Sequence, residues 1–137
     1  MKSKELEAIE QALGVRLPAA YHDAMCGSDA PSLVEAGLFG NPDLVVSRTK
    51  EQRRGFGGAS AWPQEFVSIG DQEDACPYAL DTISGSIIQT DHGSLDSPPL
   101  ARFSDFGKLV TELLETCEPQ STSSIWARIL ELFRNKK

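Results

Sequence analysis

Apolar positions recur with two different periods along this chain, and the change between them predicts the architecture. Leu6, Ile9 and Leu13 fall at helical spacing, with Ser3 as a suitable N-cap and Glu5 and Glu7 in the first turn, where carboxylates suit the helix dipole. Gly14 stands where a glycine ends a helix. Val15 and Leu17 are expected to bury beside it, and Pro18 suits the first position of a second helix. That helix should run to about Cys26 with Tyr21 and Met25 on one face, before Gly27, Ser28, Asp29, Ala30 and Pro31 close it. Leu38 and Phe39 between two glycines suggest a short strand, and Asn41-Pro42 a turn or short helix. Ser47 to Arg54 reads as a polar helix broken by Gly55-Phe56-Gly57-Gly58, with a loop over 55–63.

The period then shortens. Phe66, Val67 and Ile69 form a strand-like run stopped by Gly70-Asp71; Tyr78 and Leu80 alternate in a second run, and Ile87 and Ile88 lie in a third. Thr82-Ile83-Ser84-Gly85 reads as the hairpin turn between the last two. Three antiparallel strands are expected, ending before Ser97-Pro98-Pro99. Helical spacing returns with Phe106, Leu109, Val110, Leu113 and Leu114, up to Cys117 and Pro119. A last stripe of Ile125, Trp126, Ile129, Leu130 and Phe133 predicts a C-terminal helix over 120–135. Helices, then strands, then helices make an α+β fold: helices packed on a small, mostly antiparallel sheet, in one domain over 1–137.

Composition agrees. A chain of 137 residues, 40% apolar and 24% charged, can build its own core without metal or disulfide staples. No strictly apolar run exceeds three residues, and no apolar stretch follows the N-terminal lysines, so neither a membrane span nor a signal peptide is expected. Three widely spaced cysteines without a CxxC pair suit reduced thiols, and the expected location is the cytoplasm.

Charge adds more. The net charge is −7, and between Gly55 and Ala101 there is no Lys or Arg, while Glu65, Asp71, Glu73, Asp74, Asp81, Asp91 and Asp96 supply seven negative charges. Folded to one surface, that stretch would repel nucleic acid and anionic membrane and attract a basic partner. Solubility alone accounts for such a bias equally well.

Enzyme signatures are weak. Asp71-Gln72-Glu73-Asp74 offers hard-metal oxygens without the spacing of a calcium loop, so no metal or cofactor is assigned. Asp91-His92-Gly93-Ser94 holds triad residue types, but neighbours in sequence cannot point in series at one another, and His92 reads as a turn residue. Two histidines leave little room for a transition-metal site. Cys26, Cys76 and Cys117 read as structural. Gly55-Phe56-Gly57-Gly58 follows no strand and lacks the Lys-Ser/Thr ending of a phosphate loop.

Several stretches, in order, resemble the SUKH superfamily. They are Ile9-Glu10 with Leu13-Gly14-Val15-Arg16-Leu17-Pro18 and Tyr21; Trp62 to Asp71; Tyr78-Ala79-Leu80-Asp81 with Gly85 and Thr90-Asp91-His92-Gly93; and Ala101 to Phe106. The resemblance spans 5–115. It implies an α+β, non-enzymatic protein-binding domain, the bacterial members being read as immunity proteins that neutralise toxins, often nucleases. Two places depart from the family pattern: Cys26-Gly27-Ser28-Asp29, where an Asn-Gly is usual, and Asp71 to Pro77, where Gly-x-Gly-Asp is frequent. A basic toxin domain is then the expected partner, with Glu65, Asp71, Glu73, Asp74, Asp91 and Asp96 facing it and Trp62 or Tyr78 as an aromatic anchor. The alternatives are a regulatory or scaffold adaptor for a cellular protein, and a metal-dependent hydrolase using Asp71, Asp74, Asp91 and His92. Core packing is the competing account of the aromatics, and ordinary solvation that of the acids.

Overall fold

The computed structural model describes residues 1–55, 58–72 and 76–117. Within them the chain runs α1 (Ser3–Leu13), α2 (Ala19–Cys26), α3 (Ala30–Glu35), α4 (Pro42–Arg53), β1 (Phe66–Gln72), β2 (Cys76–Asp81), β3 (Ile87–Gln89), β4 (Ala101–Phe103) and α5 (Phe106–Cys117). The four strands form one antiparallel sheet in chain order, giving the α+β class. The predicted helix over 120–135, Trp126 and Phe133 included, lies outside the described residues. No helix among the described residues is long and apolar enough to cross a membrane.

Local chemistry explains the helix ends. Gly14 follows α1 at φ 68°, in the left-handed region that glycine enters without strain, and its N–H bonds the Glu10 carbonyl. The Glu10 carboxylate accepts the Leu17 N–H at 2.7 Å, and the Gln64 side chain donates to the Leu13 carbonyl at 2.7 Å, so the exit of α1 is held from both sides. The Asn41 side chain caps α4 by accepting the Asp43 N–H, with Pro42 in the first turn where its missing N–H is harmless.

The core lies between the helices and one face of the sheet. Val67, Leu80, Ile87 and Phe103 are paired across all four strands, so one row of apolar side chains crosses the sheet. Onto it pack Leu6, Ile9 and Leu13 of α1, Tyr21 and Met25 of α2, Leu33 of α3, Val45 of α4, and Phe106 and Leu109 of α5. Tyr21 and Phe106 meet edge to face with ring centres 5.2 Å apart. β2 is buried along nearly its whole length, as an inner strand covered on both faces.

Four expectations need correction. Lys2, not Ser3, occupies the N-cap of α1, and its N–H is accepted by the Glu5 carboxylate. Asp29-Ala30-Pro31 begins α3 rather than a loop, because proline in a first turn removes no helical hydrogen bond. β1 runs through Gly70-Asp71 to Gln72 instead of stopping there. A fourth strand, β4, follows the prolines; three residues are too few to display a period.

Tyr21 carries the first prediction. It is fully buried, and its hydroxyl has no hydrogen-bond partner among the described residues. Tyr21→Phe removes a desolvated, unpaired group and should raise stability by about 1 kcal/mol at pH 7. Burial also pushes the Tyr21 hydroxyl above its ordinary value of 10. The unfolded chain therefore ionises near pH 10 while the folded chain keeps its proton. This contribution to stability is present below pH 10 and lost as pH rises further. Urea unfolding of both proteins at pH 7 and above pH 10 should show a widening advantage for Tyr21→Phe; a parallel decline would place the alkaline loss elsewhere.

Candidate functional site

The site begins with an irregularity in β1. Ser68 pairs with Ala79, but Gly70, not Ile69, pairs with Tyr78, and Asp71 pairs with Pro77. Ile69 is thus an extra residue, a β-bulge. Strict alternation would put Asp71 on the same face as Val67 and Ile69, inside the core. The bulge shifts the parity by one: Val67 and Ile69 both stay fully buried, and Asp71 joins Ser68 on the opposite face. Gly70 is required at this place. A Cβ there would lie 2.6 Å from the Gly37 carbonyl oxygen and 2.9 Å from Leu38 Cα, because Leu38 bridges to Gly70 from outside the sheet. The Asp71 N–H donates to the Gly37 carbonyl and the Phe39 N–H to the Ile69 carbonyl, which holds the bulge against the α3–α4 connection.

A second element closes on the same end of the sheet. The Thr90 N–H and hydroxyl both donate to the Pro77 carbonyl, at 2.9 and 2.8 Å. The Thr90 hydroxyl in turn accepts the Gly93 N–H at 3.0 Å. Asp91 to Ser94 form a tight turn closed by the Ser94 N–H on the Asp91 carbonyl. His92 and Gly93 both have positive φ, 54° and 85°, the signature of a type I′ turn, in which a histidine is uncommon but tolerated. The Trp62 indole N–H donates to the Gly93 carbonyl at 2.7 Å and fastens the turn from the other side.

Between the bulge and this turn is a cavity of about 50 Å³, room for a few waters or one small solute. Phe39 and Pro77 are apolar parts of its lining; Arg48, Glu51 and Gln52 come from α4, Ser68 and Asp71 from β1, and His92 from the turn. Three oxygens here, Gln52 Oε1, Ser68 Oγ and Asp71 Oδ1, are buried without a hydrogen-bond partner among the described residues. Burial pushes the Asp71 carboxyl above the ordinary carboxylate range, opposed by the Arg48 charge and by the Cys76 N–H that Asp71 accepts. Arg48 is shared with Glu51, 3.8 Å away in an exposed pair. The His92 ring sits 2.7 Å from the Asp91 carboxylate. Glu51 and Asp71 thus share the cavity with the Arg48 guanidinium, and Asp91 stands beside the His92 imidazole at its edge.

The predicted site residues separate. Asp71 and Asp91 meet here. Glu65 precedes β1, six residues before Asp71 at the other end of that strand, beside the turn that Asp81 organises by accepting the Ile83 and Ser84 N–H groups. Asp96 is exposed and accepts the Ser60 hydroxyl. Glu73 and Asp74 lie outside the described residues. The described acids thus occupy both ends of the sheet and one loop, not a single face. Trp62 and Tyr78 are corrections: each is only 3% exposed, Tyr78 within the core and Trp62 held to Gly93 and stacked edge-on against Phe66, so neither presents an anchor to a partner. Cys76, which reads from the sequence as a structural thiol, belongs to this end of the sheet; its thiol comes near Asp91 and His92, fifteen and sixteen residues on, only through the strand pairing. Local spacing carries no signal for that.

The fold and the site together define an α+β domain with a polar, acceptor-rich cavity at the end of its sheet where β1 finishes and β2 begins. No protein-family model, curated protein or solved structure matches the chain.

Two substitutions test the geometry. Gly70→Ala forces a methyl group onto backbone atoms and should cost about 1–3 kcal/mol, with m unchanged, in urea unfolding. Trp62→Phe leaves the buried Gly93 carbonyl without its donor and should cost about 1–3 kcal/mol. Stability within 0.3 kcal/mol of wild type, on the order of independent-site error, would contradict the role given to either contact.

Proposed function

We propose that the chain is a non-enzymatic protein-binding domain, an immunity protein of the SUKH type that neutralises a basic toxin by stoichiometric binding in the cytoplasm. The observation that carries this reading is the acceptor-rich hollow at Asp71. Carboxylates and unpartnered side-chain oxygens converge there from α4 and β1 around the Arg48 guanidinium, and the residues that β1 and the 91–94 turn bring belong to a stretch of 45 residues between Gly55 and Ala101 without a Lys or Arg. A hollow of that chemistry takes a donor, and a partner's lysine or arginine side chain supplies one with matching charge. Desolvated carboxylates that gain a cationic partner become strong contacts, whereas charges at the rim mainly speed encounter. Asp71 is the expected strong contact; Glu65 and Asp96, exposed or half-buried elsewhere, contribute long-range attraction only. The SUKH resemblance supports the same class of function, and the acidic bias supports the sign of the partner's charge.

The test is functional. Proteins retained from the source cells by immobilised wild-type chain, and released by salt, are identified and expressed with and without this chain. The reading predicts a basic protein whose toxicity is abolished by the wild type, and whose association slows at least about fivefold with the double variant Asp71→Asn, Asp91→Asn at low salt. Neutralisation and association rate unchanged by the double variant would remove this hollow from the interface. A salt-released partner with no toxicity would contradict the immunity reading and leave the adaptor.

A further inference from the structure

We propose that Cys76, Asp91 and His92 form a binding site for a divalent ion of the zinc class. The Cys76 sulfur, an Asp91 carboxylate oxygen and a His92 ring nitrogen all lie within 4.8 Å of one another. Tetrahedral zinc, with bonds of roughly 2.0–2.3 Å, needs its ligand atoms roughly 3.3–3.8 Å apart. The backbone holds the two segments together, since both Thr90 donors end on the Pro77 carbonyl, immediately after Cys76 and immediately before Asp91; binding an ion requires side-chain rotation that parts His92 from Asp91, now 2.7 Å apart, and draws both toward Cys76.

The donor set selects the ion. A thiolate and an imidazole favour zinc or a similar borderline metal, whereas magnesium and calcium would ask for oxygen ligands throughout. The surroundings complete the case. Asp71 accepts the Cys76 N–H and keeps a second, buried carboxylate oxygen without a partner among the described residues. Asp71 is not among the side chains whose ligand atoms lie within 4.8 Å of one another, so its part is to hold the Cys76 backbone from outside the ligand set. Ser68 is fully buried and Gln52 is 7% exposed, each has an unpartnered buried oxygen among the described residues, and both line the adjoining cavity, which has room for the water that a three-ligand site keeps. The left-handed conformation of His92 belongs to the turn that brings a ring nitrogen within 4.8 Å of the Cys76 sulfur. Such an ion would tie the 91–94 turn to the start of β2, and it requires no toxin or other protein partner.

The experiment uses the full chain, metal-stripped and kept reduced, titrated with zinc and separately with cobalt(II). One equivalent of cobalt should bind with near-ultraviolet thiolate-to-cobalt absorption, and zinc should displace it. Cys76→Ser should abolish that absorption, and His92→Ala, at an exposed position, should weaken zinc binding about 100-fold or more. Asp71→Asn should weaken it by about 10-fold, the usual effect of an outer-shell partner. Cys26→Ser is the control, since Cys26 lies 4.0 Å from His22 in the other described cysteine–histidine pair; it should change nothing. Thermal unfolding of each metal-free variant separates lost ligation from lost fold. Absence of a thiolate band in the wild type, zinc affinity unaltered by His92→Ala, or a loss that follows Cys26 would each overturn the site.

Discussion

One extra residue in β1 governs where this molecule keeps its chemistry. With the bulge at Ile69, the core retains Val67 and Ile69 and the opposite face receives both Ser68 and Asp71. Without it, either a carboxylate would enter the core or two aliphatic side chains would leave it, and each alternative is costly. The bulge depends in turn on a residue with no side chain. Gly37 and Leu38 press against Gly70 at distances no Cβ tolerates, and the Gly37 carbonyl and Phe39 N–H take the hydrogen bonds that an edge strand would otherwise leave open. A packing constraint between a loop and a strand thus becomes a placement of charge.

Much of the fold was legible because it rests on periods. Leu6, Ile9 and Leu13, and later Phe106, Leu109 and Leu113, mark their helices by spacing alone, and Gly14 marks a stop. The misread parts share a cause. Gly70-Asp71 looks like a turn because those residues favour turns, but here glycine is present for close approach, and only the contact with Leu38 reveals it. Asp29-Ala30-Pro31 looks like a breaker yet starts a helix. β4 is too short to show alternation and exists because β3 offers it a partner.

The site was legible only in part, for a related reason. Asp71, Asp91 and His92 draw notice as residue types, but nothing local shows that the first faces the same cavity as the last. Cys76 reads as structural, because its neighbours are supplied by a turn that follows another strand. Tyr78 alternates with Leu80, and that period already places it on the core face; its aromatic character suggested an interface, and burial decided otherwise. The acidic stretch is continuous in sequence and divided in space, since an antiparallel sheet carries consecutive residues to opposite ends. Net charge describes the encounter of such a molecule with a partner, while the few desolvated carboxylates decide what it holds.

The claim common to these observations is that the proposed binding chemistry gathers where β1 ends and β2 begins, around the bulge, and not along the acidic stretch as a whole. Amide chemical shifts of the isotopically labelled full chain, followed while zinc is added to the reduced protein, test this directly. The account predicts shifts concentrated at Gln52, Asp71, Cys76, Asp91, His92 and Gly93, with the amides of Glu65, Asp81 and Asp96 unmoved. Shifts centred on His22 and Cys26, shifts spread evenly over the acidic residues, or no shifts at all would contradict it.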